Sequence, residues 1–511
     1  MTGRRRAGLL VPLFSCPSTA SWGIGDIGDI EPLTRWLAGA GLRVLQLLPI
    51  NEMAPAQQSP YSAISAMAID PVFIRVPDIP DYEPSSDDRI RDVPRIDYGE
   101  VRRVKHAALR RAFDRFYATE VKRDGDRARQ LRAFVCEQAW WIEDYSLFRA
   151  IHAHEGERPW MEWPRELQLR EPAAIDRARR ELARDVLLYQ YLQWIATMQW
   201  KRARERSHGV QLFGDLPFMV DADSADVWSR QHQFSLDVTI GAPPDAFSAT
   251  GQDWGTPLYR WDVIAREDFR WLRERARRSA DLFDGYRIDH LVGFYRTYGN
   301  PKDGRRPFFT PQDEPSQRAL GERVMATFRE PGSEIIAEDL GTVPDFVRES
   351  LARLEIPGFR VLRWERHWHT DGQPFREPGE YPAVSVATSG THDTETLAAW
   401  WDHASADERG KVASLSTIRR MANGVDVTTA PFDPQVRDVL LRALFASGSD
   451  LLLLPVQDVF GWRDRINEPA TIGDGNWTYR LPWPSDRLDE IDEARAAQRR
   501  LRAWAEQFGR T

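Results

Sequence analysis

The distribution of apolar residues along the chain predicts a parallel sheet. Eight short, nearly continuous apolar runs recur, each ending in a polar or glycine-bearing turn. They are Leu9–Ser15, Val44–Ile50, Val210–Phe218, Tyr286–His290, Glu334–Gly341, Phe359–Trp364, Val384–Asp393 and Leu451–Asp458. Runs of this length without polar alternation suit strands buried on both faces. Helical spacing marks several of the intervals. Leu188, Tyr191, Leu192, Ile195 and Met198 form the apolar stripe of a helix over Leu187–Trp200. Phe346, Val347, Leu351 and Leu354 form that of another, with Pro344 just inside its start and Thr342 as its cap. Eight strands with intervening helices predict an α/β fold, a (β/α)8 TIM barrel.

Such a barrel needs about 250 residues, and the chain has 511. Large, mainly helical insertions are therefore expected. Residues 51–209, between the second and third strands, are read as a helical subdomain that includes a helix over Val101–Phe116. Residues 221–283, between the third and fourth strands, are read as a segment covering a groove. No Ser/Gly-rich linker, low-complexity tract or fixed-period repeat interrupts the sequence, so a single elaborated barrel over 1–511 is expected. Arg4-Arg5-Arg6 followed by Ala7 to Ser15 superficially resembles a secretory leader, but Pro12 and the glycines that follow favour a buried first strand. No run of about 18 apolar residues predicts a membrane span.

In barrels of this class the chemistry sits at the C-terminal ends of the strands. Here those ends read Gly214-Asp215-Leu216-Pro217, Arg287-Ile288-Asp289-His290, Ala337-Glu338-Asp339-Leu340-Gly341, Gly390-Thr391-His392-Asp393 and Gln457-Asp458. Carboxylates thus converge on one rim from five strands, with one Arg and two His. Packed like charges raise one another's pKa, so one carboxyl can act as an acid while another stays ionised. Two chemistries use such a set. One is glycosyl transfer, with one carboxylate attacking the anomeric carbon and another protonating the leaving oxygen. The other is a divalent metal site beside a Lys or His base. None of the five lysines falls on a strand end, although His290 or His392 would serve as a base.

Composition narrows the choice. The net charge of −8 supplies no excess of cations to displace counterions, which argues against nucleic acid as partner. Two cysteines, Cys16 and Cys136, build neither a disulfide framework nor a thiolate metal site. They suit a reducing compartment, and a cytoplasmic location is expected. Twenty tryptophans against 23 phenylalanines is a large share of indole. Most such rings fill cores, but flat aromatic faces also stack on sugars, and this tilts the rim toward carbohydrate. His152-Ala153-His154 and His367-Trp368-His369 have ligand-like spacing, yet isolated pairs of this kind are more often structural. The run from Asp221 to Asp226 begins like a calcium loop but lacks the central Gly, and His232 stands where the closing Glu belongs. Gly23-Ile24-Gly25-Asp26-Ile27-Gly28 matches G-x-G-x-x-G without the acidic partner a dinucleotide site needs, and reads as a barrel turn.

Ordered motifs then carry a resemblance over nearly the whole chain. They are Ser21-Trp22-Gly23-Ile24-Gly25-Asp26, Ser59-Pro60-Tyr61-Ser62, Gly214-Asp215-Leu216-Pro217, Ser224-Ala225-Asp226-Val227-Trp228, Gly241-Ala242-Pro243-Pro244-Asp245, Thr250-Gly251-Gln252-Asp253-Trp254-Gly255, Pro257-Leu258-Tyr259-Arg260-Trp261, Arg465-Ile466-Asn467 and Gly475-Asn476-Trp477. In these the sequence resembles the amylomaltases, the disproportionating 4-α-glucanotransferases of glycoside hydrolase family 77 in the α-amylase clan. The resemblance implies that Asp289 is the nucleophile, Glu338 the general acid/base, and Asp393 the carboxylate that stabilises the transition state. It implies that Arg287 keeps Asp289 ionised, that Asp215 and His392 contact sugar hydroxyls, and that Tyr61 stacks in the donor pocket. Asp245 and Trp254 match the loop that covers the groove, and Asn467 a polar contact near the cleaved bond. Malto-oligosaccharides, amylose or glycogen-derived glucans are the implied substrates, with no metal or cofactor. The rivals are a hydrolase of the same clan and a catalytically silent glycan-binding barrel. Leu291-Val292, Thr256, Thr394 and Glu468-Pro469-Ala470 depart from the family's usual residues, at positions that bear on substrate length rather than on the reaction.

Overall fold

A computed structural model describes residues 5–511, apart from 56, 89, 91–93, 245–250, 470, 472 and 474. Its strands are β1 (Arg6–Leu10), β2 (Val44–Gln46), β3 (Gln211–Leu216), β4 (Phe234–Ala242), β5 (Gln252–Tyr259), β6 (Gly285–Ile288), β7 (Thr297–Pro301), β8 (Phe308–Thr310), β9 (Glu334–Ala337), β10 (Gly358–Val361), β11 (Ser385–Thr388) and β12 (Leu451–Pro455). Eight of them close a barrel in the order β1-β12-β11-β10-β9-β6-β3-β2, with parallel neighbours throughout. These are the eight apolar runs, so the (β/α)8 expectation holds.

The strands are shorter than the runs. The first lies at Arg6–Leu10 instead of Leu9–Ser15, because Pro12 has no N–H to give the ladder and Leu13–Ser15 winds into a 3₁₀ turn. The second stops at Gln46, although Leu47, Leu48 and Ile50 stay buried beyond it. Burial, which the apolar pattern reports, continues past the last ladder bond.

Side chains alternate across a strand, and one set points inward. Val44, Phe213, Ile336, Phe359, Val386, Leu451 and Leu453 pack together as an inner cluster, separate from the larger core under the helices. Gly285 makes room for it: a Cβ there would stand 2.7 Å from the Phe213 ring. Counting on by twos from this layer leads up the barrel to Gln46, Asp215, Arg287, Glu338 and Thr388.

Between β2 and β3 the chain is mainly helical, with the helices Tyr98–Thr119, Asp126–Glu137, Ala139–His154, Arg165–Gln168, Pro172–Glu181 and Ala183–Glu205. In the last of these Leu188, Tyr191, Leu192 and Ile195 are buried as expected, together with Trp194 and Trp200. Met198, assigned to the same stripe, is 45% exposed. The helix after β9 runs over Asp345–Arg353, with Pro344 as the residue before it and no side-chain cap; Thr342 lies outside. Residues 221–283 hold β4 and β5 and the helix Arg270–Leu282. The antiparallel sheet begun there, ordered β5-β4-β7-β8, is completed by strands beyond β6 and so extends past residue 283. Among the described residues no helix is long and apolar enough to cross a membrane.

Candidate active site

Alternation along the strands puts the rim chemistry over the barrel mouth. Asp215 stands two residues above Phe213, and Arg287 is its register partner on β6. Asp289 is two residues beyond Arg287, and Glu338 two beyond Ile336. Arg287 is buried, and its Nη1 donates to both oxygens of Asp215 at 2.8 Å and to Asp289 Oδ1 at 2.9 Å. Its Nη2 lies 4.0 Å from Glu338 Oε2. Burial opposes the charge of this guanidinium, but Asp215 and Asp289 more than offset it and hold its pKa well above the ordinary value.

Glu338 differs from its neighbours. Burial, helped by the charge of Asp289, pushes its pKa up to about 7 against the pull of Arg287 and of the Leu340 N–H. Both oxygens are positioned by backbone donors, Oε2 by His290 N at 2.8 Å and Oε1 by Leu340 N at 3.1 Å. His290 takes a left-handed φ of 41°, an uncommon conformation for a side-chain-bearing residue, which here aims its N–H at Glu338. Burial lowers the pKa of its ring to about 4, so near neutral pH it carries no charge. Trp254, 37% exposed, meets this ring edge-on at 4.8 Å.

The opposite side of the mouth is built on the loop after β11. Asp393 Oδ1 accepts from Asn467 Nδ2 at 2.6 Å, and Oδ2 lies 3.2 Å from His392 Nε2. Burial would raise its pKa, but His392 and the Asn467 amide hold it down to about 2. Asn467 N also donates to His392 O, and Arg465 Nη2 to Asp393 O at 2.9 Å. Tyr61 joins the two sides. Its hydroxyl donates to Asp215 Oδ2 at 2.8 Å and lies 3.0 Å from His392 Nε2, and its ring stacks on His392 at 5.3 Å. Thr394 closes the turn that carries Asp393, its Oγ1 accepting from Thr391 N and donating to Thr391 O.

Two strand-end carboxylates do not join this group. Asp339 follows Glu338 and so faces the other way. It accepts from Phe359 N at 2.7 Å and from Arg360 Nη1 at 3.2 Å, tying β9 to β10. Asp458 is buried and accepts from Ser389 Oγ and Leu397 N. Asp245 lies outside the described residues. Trp477, to which the sequence reading assigned no role, packs beside both Tyr61, at 5.7 Å, and His392, at 5.8 Å; its position in the Gly475-Asn476-Trp477 motif was the available signal. His152 is enclosed by Glu157 and Asp223, and Asp221 accepts from Asp223 N, while His154 points away at the exposed surface. Among the described residues no group of three or more His, Cys, Asp or Glu is placed to hold a metal. Of the departures, Leu291 is buried and Thr256 half-buried, while Ala470 lies outside the described residues.

Comparison with known proteins gives a consistent result. The glycoside hydrolase 77 family, described as 4-alpha-glucanotransferase, matches residues 11–486. The 4-alpha-glucanotransferase of Thermus thermophilus is 34% identical over 93% of this chain and 95% of its own. That of Chlamydia pneumoniae is 31% identical over 93% and 91%. Among solved structures, the amylomaltase of Streptococcus agalactiae in complex with acarbose superimposes with a TM-score of 0.85 at 26% identity, over 99% of this chain and all of that one.

Proposed function

The chain belongs to the glycoside hydrolase 77 family and is a 4-alpha-glucanotransferase, and from that premise we propose that its rim carboxylates carry the transfer by a retaining double displacement. The observation that supports this is the contrast on one rim between Glu338, held up to about 7 by burial, and Asp289, hydrogen-bonded by Arg287.

In the first step an Asp289 carboxylate oxygen attacks the anomeric carbon of an α-1,4-linked glucosyl unit. The C1–O bond breaks as protonated Glu338 gives its proton to the departing oxygen. The products are a glycosyl ester on Asp289, a shortened glucan and a Glu338 carboxylate. In the second step that carboxylate takes the proton from the 4-hydroxyl of an acceptor. The acceptor oxygen attacks C1, and Asp289 leaves as carboxylate. Two inversions retain the α configuration. A pKa near neutrality suits a group that must be acid in one half-reaction and base in the next.

The remaining residues bind and orient. Asp393, held ionised, stabilises the positive charge that develops at C1 and binds sugar hydroxyls. Asp215 and His392 contact hydroxyls in the donor pocket, where the Tyr61 ring stacks. Asn467 fixes Asp393, and Trp254 covers the groove. Malto-oligosaccharides, amylose and glycogen-derived glucans are the substrates of this reading.

Incubation with maltotriose tests the reaction: transfer yields glucose and longer oligosaccharides with no rise in reducing ends. The residue roles are tested by mass spectrometry of Glu338→Gln treated with a glucosyl fluoride, whose leaving group needs little acid assistance. An adduct on the peptide carrying Asp289 is expected; an adduct on Asp393 would overturn the assignment.

A further inference from the structure

Asp289 and Glu338 are each the first residue beyond a barrel strand, and neighbouring strands still hold their backbones. Asp289 N donates to Leu216 O at 3.1 Å and Glu338 N to Ile288 O at 3.0 Å. Asp393 stands five residues beyond Thr388, the last of β11, on a loop that runs from Ser389 to the helix Leu397–His403. Its N–H stays within that loop, donating to Thr391 Oγ1 at 3.3 Å. The middle of the loop is closed on itself: Thr394 Oγ1 accepts from Thr391 N at 3.0 Å and donates to Thr391 O at 3.1 Å. A Cβ on Gly390 would stand 2.4 Å from the same oxygen. A turn this tight moves as one piece, so the ends of the loop decide where Asp393 lies.

Both ends are fastened by buried charges from the strands that flank β11 in the barrel, β10 and β12. Arg363, two residues past β10, is 5% exposed. Its Nη2 donates to Ser389 O at 3.2 Å and to Glu395 O at 2.9 Å, and its Nη1 to Glu395 Oε1 at 3.3 Å. Asp458, three residues past β12, is 1% exposed. It accepts from Ser389 Oγ at 2.5 Å and from Leu397 N at 2.7 Å. Each side chain therefore reaches the start and the finish of the loop at once. Burial opposes both charges, and each charge offsets part of that cost for the other.

We propose that Arg363 and Asp458 are positioning residues for the transfer, a buried pair of opposite charges that fixes both ends of the Ser389–Leu397 loop and so sets His392 and Asp393 at the mouth. The inference rests on the role given to Asp393 above. A carboxylate stabilises a developing positive charge best when it is already in place, and a displacement of about 1 Å costs on the order of 10²-fold in rate. For stability alone, well-packed apolar side chains of similar volume do as well as buried charges. What the charges add is direction: four polar groups at the loop ends are held along fixed hydrogen bonds.

The test uses the full chain, with maltotriose and with a glucosyl fluoride, at a temperature where circular dichroism shows each variant folded. Arg363→Met should lower kcat by about 10- to 100-fold with KM changed less than about threefold. Ser389→Ala, which removes one hydroxyl from Asp458, should lower kcat by about three- to tenfold. Both losses should be the same on the two donors, because positive charge develops at C1 whatever the leaving group; Glu338→Gln is instead spared on the fluoride. Parental kcat in the folded variants overturns the proposal, as does a loss confined to maltotriose or one carried by KM. If Arg363→Met fails to fold, Ser389→Ala decides by the same comparison. Asp393→Asn separates this proposal from its premise. Impaired on both donors beside fully active Arg363→Met and Ser389→Ala, it would leave the role of Asp393 standing and overturn the proposal alone. Parental turnover by Asp393→Asn would overturn the role of Asp393 and the proposal with it.

Discussion

Two buried arginines in this molecule sit among carboxylates, and the protein treats them in opposite ways. Arg149, in the helical region between β2 and β3, donates to Glu52 Oε1 at 3.0 Å and to Glu157 Oε2 at 3.2 Å. The other oxygen of Glu52 accepts from Tyr145, and His152 bridges Glu157 and Asp223 at 2.6 and 2.9 Å. Despite burial, the two carboxylates push the pKa of His152 up, and His152 and Arg149 hold that of Glu157 down to about 2. His152 and Glu157 each favour the charged form of the other, and this pair stabilises the fold, while the pKa of Glu52 is pushed up by burial, with its two oxygens closed off by Arg149 and Tyr145. Around Arg287 the balance is different. Asp289 remains 23% exposed at its side chain, and Glu338 is driven up to about 7 instead of down. A charge that the surroundings disfavour is a group ready to exchange a proton. The same ingredients build a clamp in one place and a reactive centre in the other.

If that distinction is right, substitutions at the rim remove activity and spare stability. The largest effect is expected for Asp289→Asn. It deletes the nucleophile while preserving shape, and transfer should fall by a factor on the order of 10⁴ or more, with far-UV circular dichroism unchanged. A variant that unfolds instead would show that Asp289 belongs with the structural clamp.

Glu338→Gln should lower kcat by about 10²–10⁴ on maltotriose and by much less on a glucosyl fluoride. It also carries a pH signature. The carboxyl has a folded-state pKa of about 7 against the ordinary 4.5. The folded state therefore binds this proton more tightly. The stabilisation is fully present below 4.5 and lost as pH rises through about 7. Gln mimics the neutral form, so the variant should gain Tm on the parent between pH 5 and pH 8. No pH-dependent gain would mean that burial does not set this pKa.

This contrast was only partly legible in the sequence. The eight strands were, because strands buried on both faces spell apolar runs. The extra sheet was not: β4 places Ser235, Leu236 and Asp237 half-buried or exposed before its buried stretch Val238–Gly241, and β7 holds Thr297, Asn300 and Pro301. Their burial depends on partners distant in sequence. On the rim, spacing by twos correctly groups Arg287 with Asp289. The same rule separates Asp339 from Glu338, since adjacent residues face opposite ways. Asp458 could not be sorted by it, because it follows the strand and its direction is set by the helix turn it enters. The His290 backbone donor to Glu338 was invisible, because every residue except proline has an N–H and only the left-handed turn aims this one.

In the clamp the opposite outcome is expected. His152→Gln removes a buried bridge between two carboxylates, at about 1.5–3 kcal/mol per charged hydrogen bond. The stabilisation from the raised His152 pKa is present below 6.5 and lost as pH rises through its folded value, and that from Glu157 is present above 4.5 and lost as pH falls toward 2. The stability gap between parent and variant should thus be widest between pH 5 and 6 and narrow at alkaline pH. Activity of the folded variant should stay within about twofold, since His152 touches none of the rim residues. A tenfold loss at a temperature where the variant is folded would join the two clusters functionally.

The smallest and sharpest test makes one chemical change in both places. Tyr145→Phe deletes a hydroxyl that donates to Glu52 and accepts from Gln193 Nε2 at 3.2 Å. Tyr61→Phe deletes one that donates to Asp215 and touches His392. Each removes about the same hydrogen-bond energy, ~0.5–1.5 kcal/mol net and up to about 3 kcal/mol where the partner is charged. In the clamp, Glu52 keeps Arg149 but loses the partner of its second oxygen, inside a core that water does not reach, so the cost should appear as lowered Tm with kcat/KM unchanged. At the rim, Asp215 keeps both bonds from Arg287, and the ring that remains at position 61 can still stack on His392, so Tm should hardly move. What is lost is the link that sets Asp215 and His392 for sugar hydroxyls, and kcat/KM should fall by about tenfold, the equivalent of 1.4 kcal/mol. If both variants lost stability and neither lost activity, Tyr61 would be a core tyrosine that happens to line the mouth, and the donor-pocket reading of Asp215 and His392 would lose its anchor.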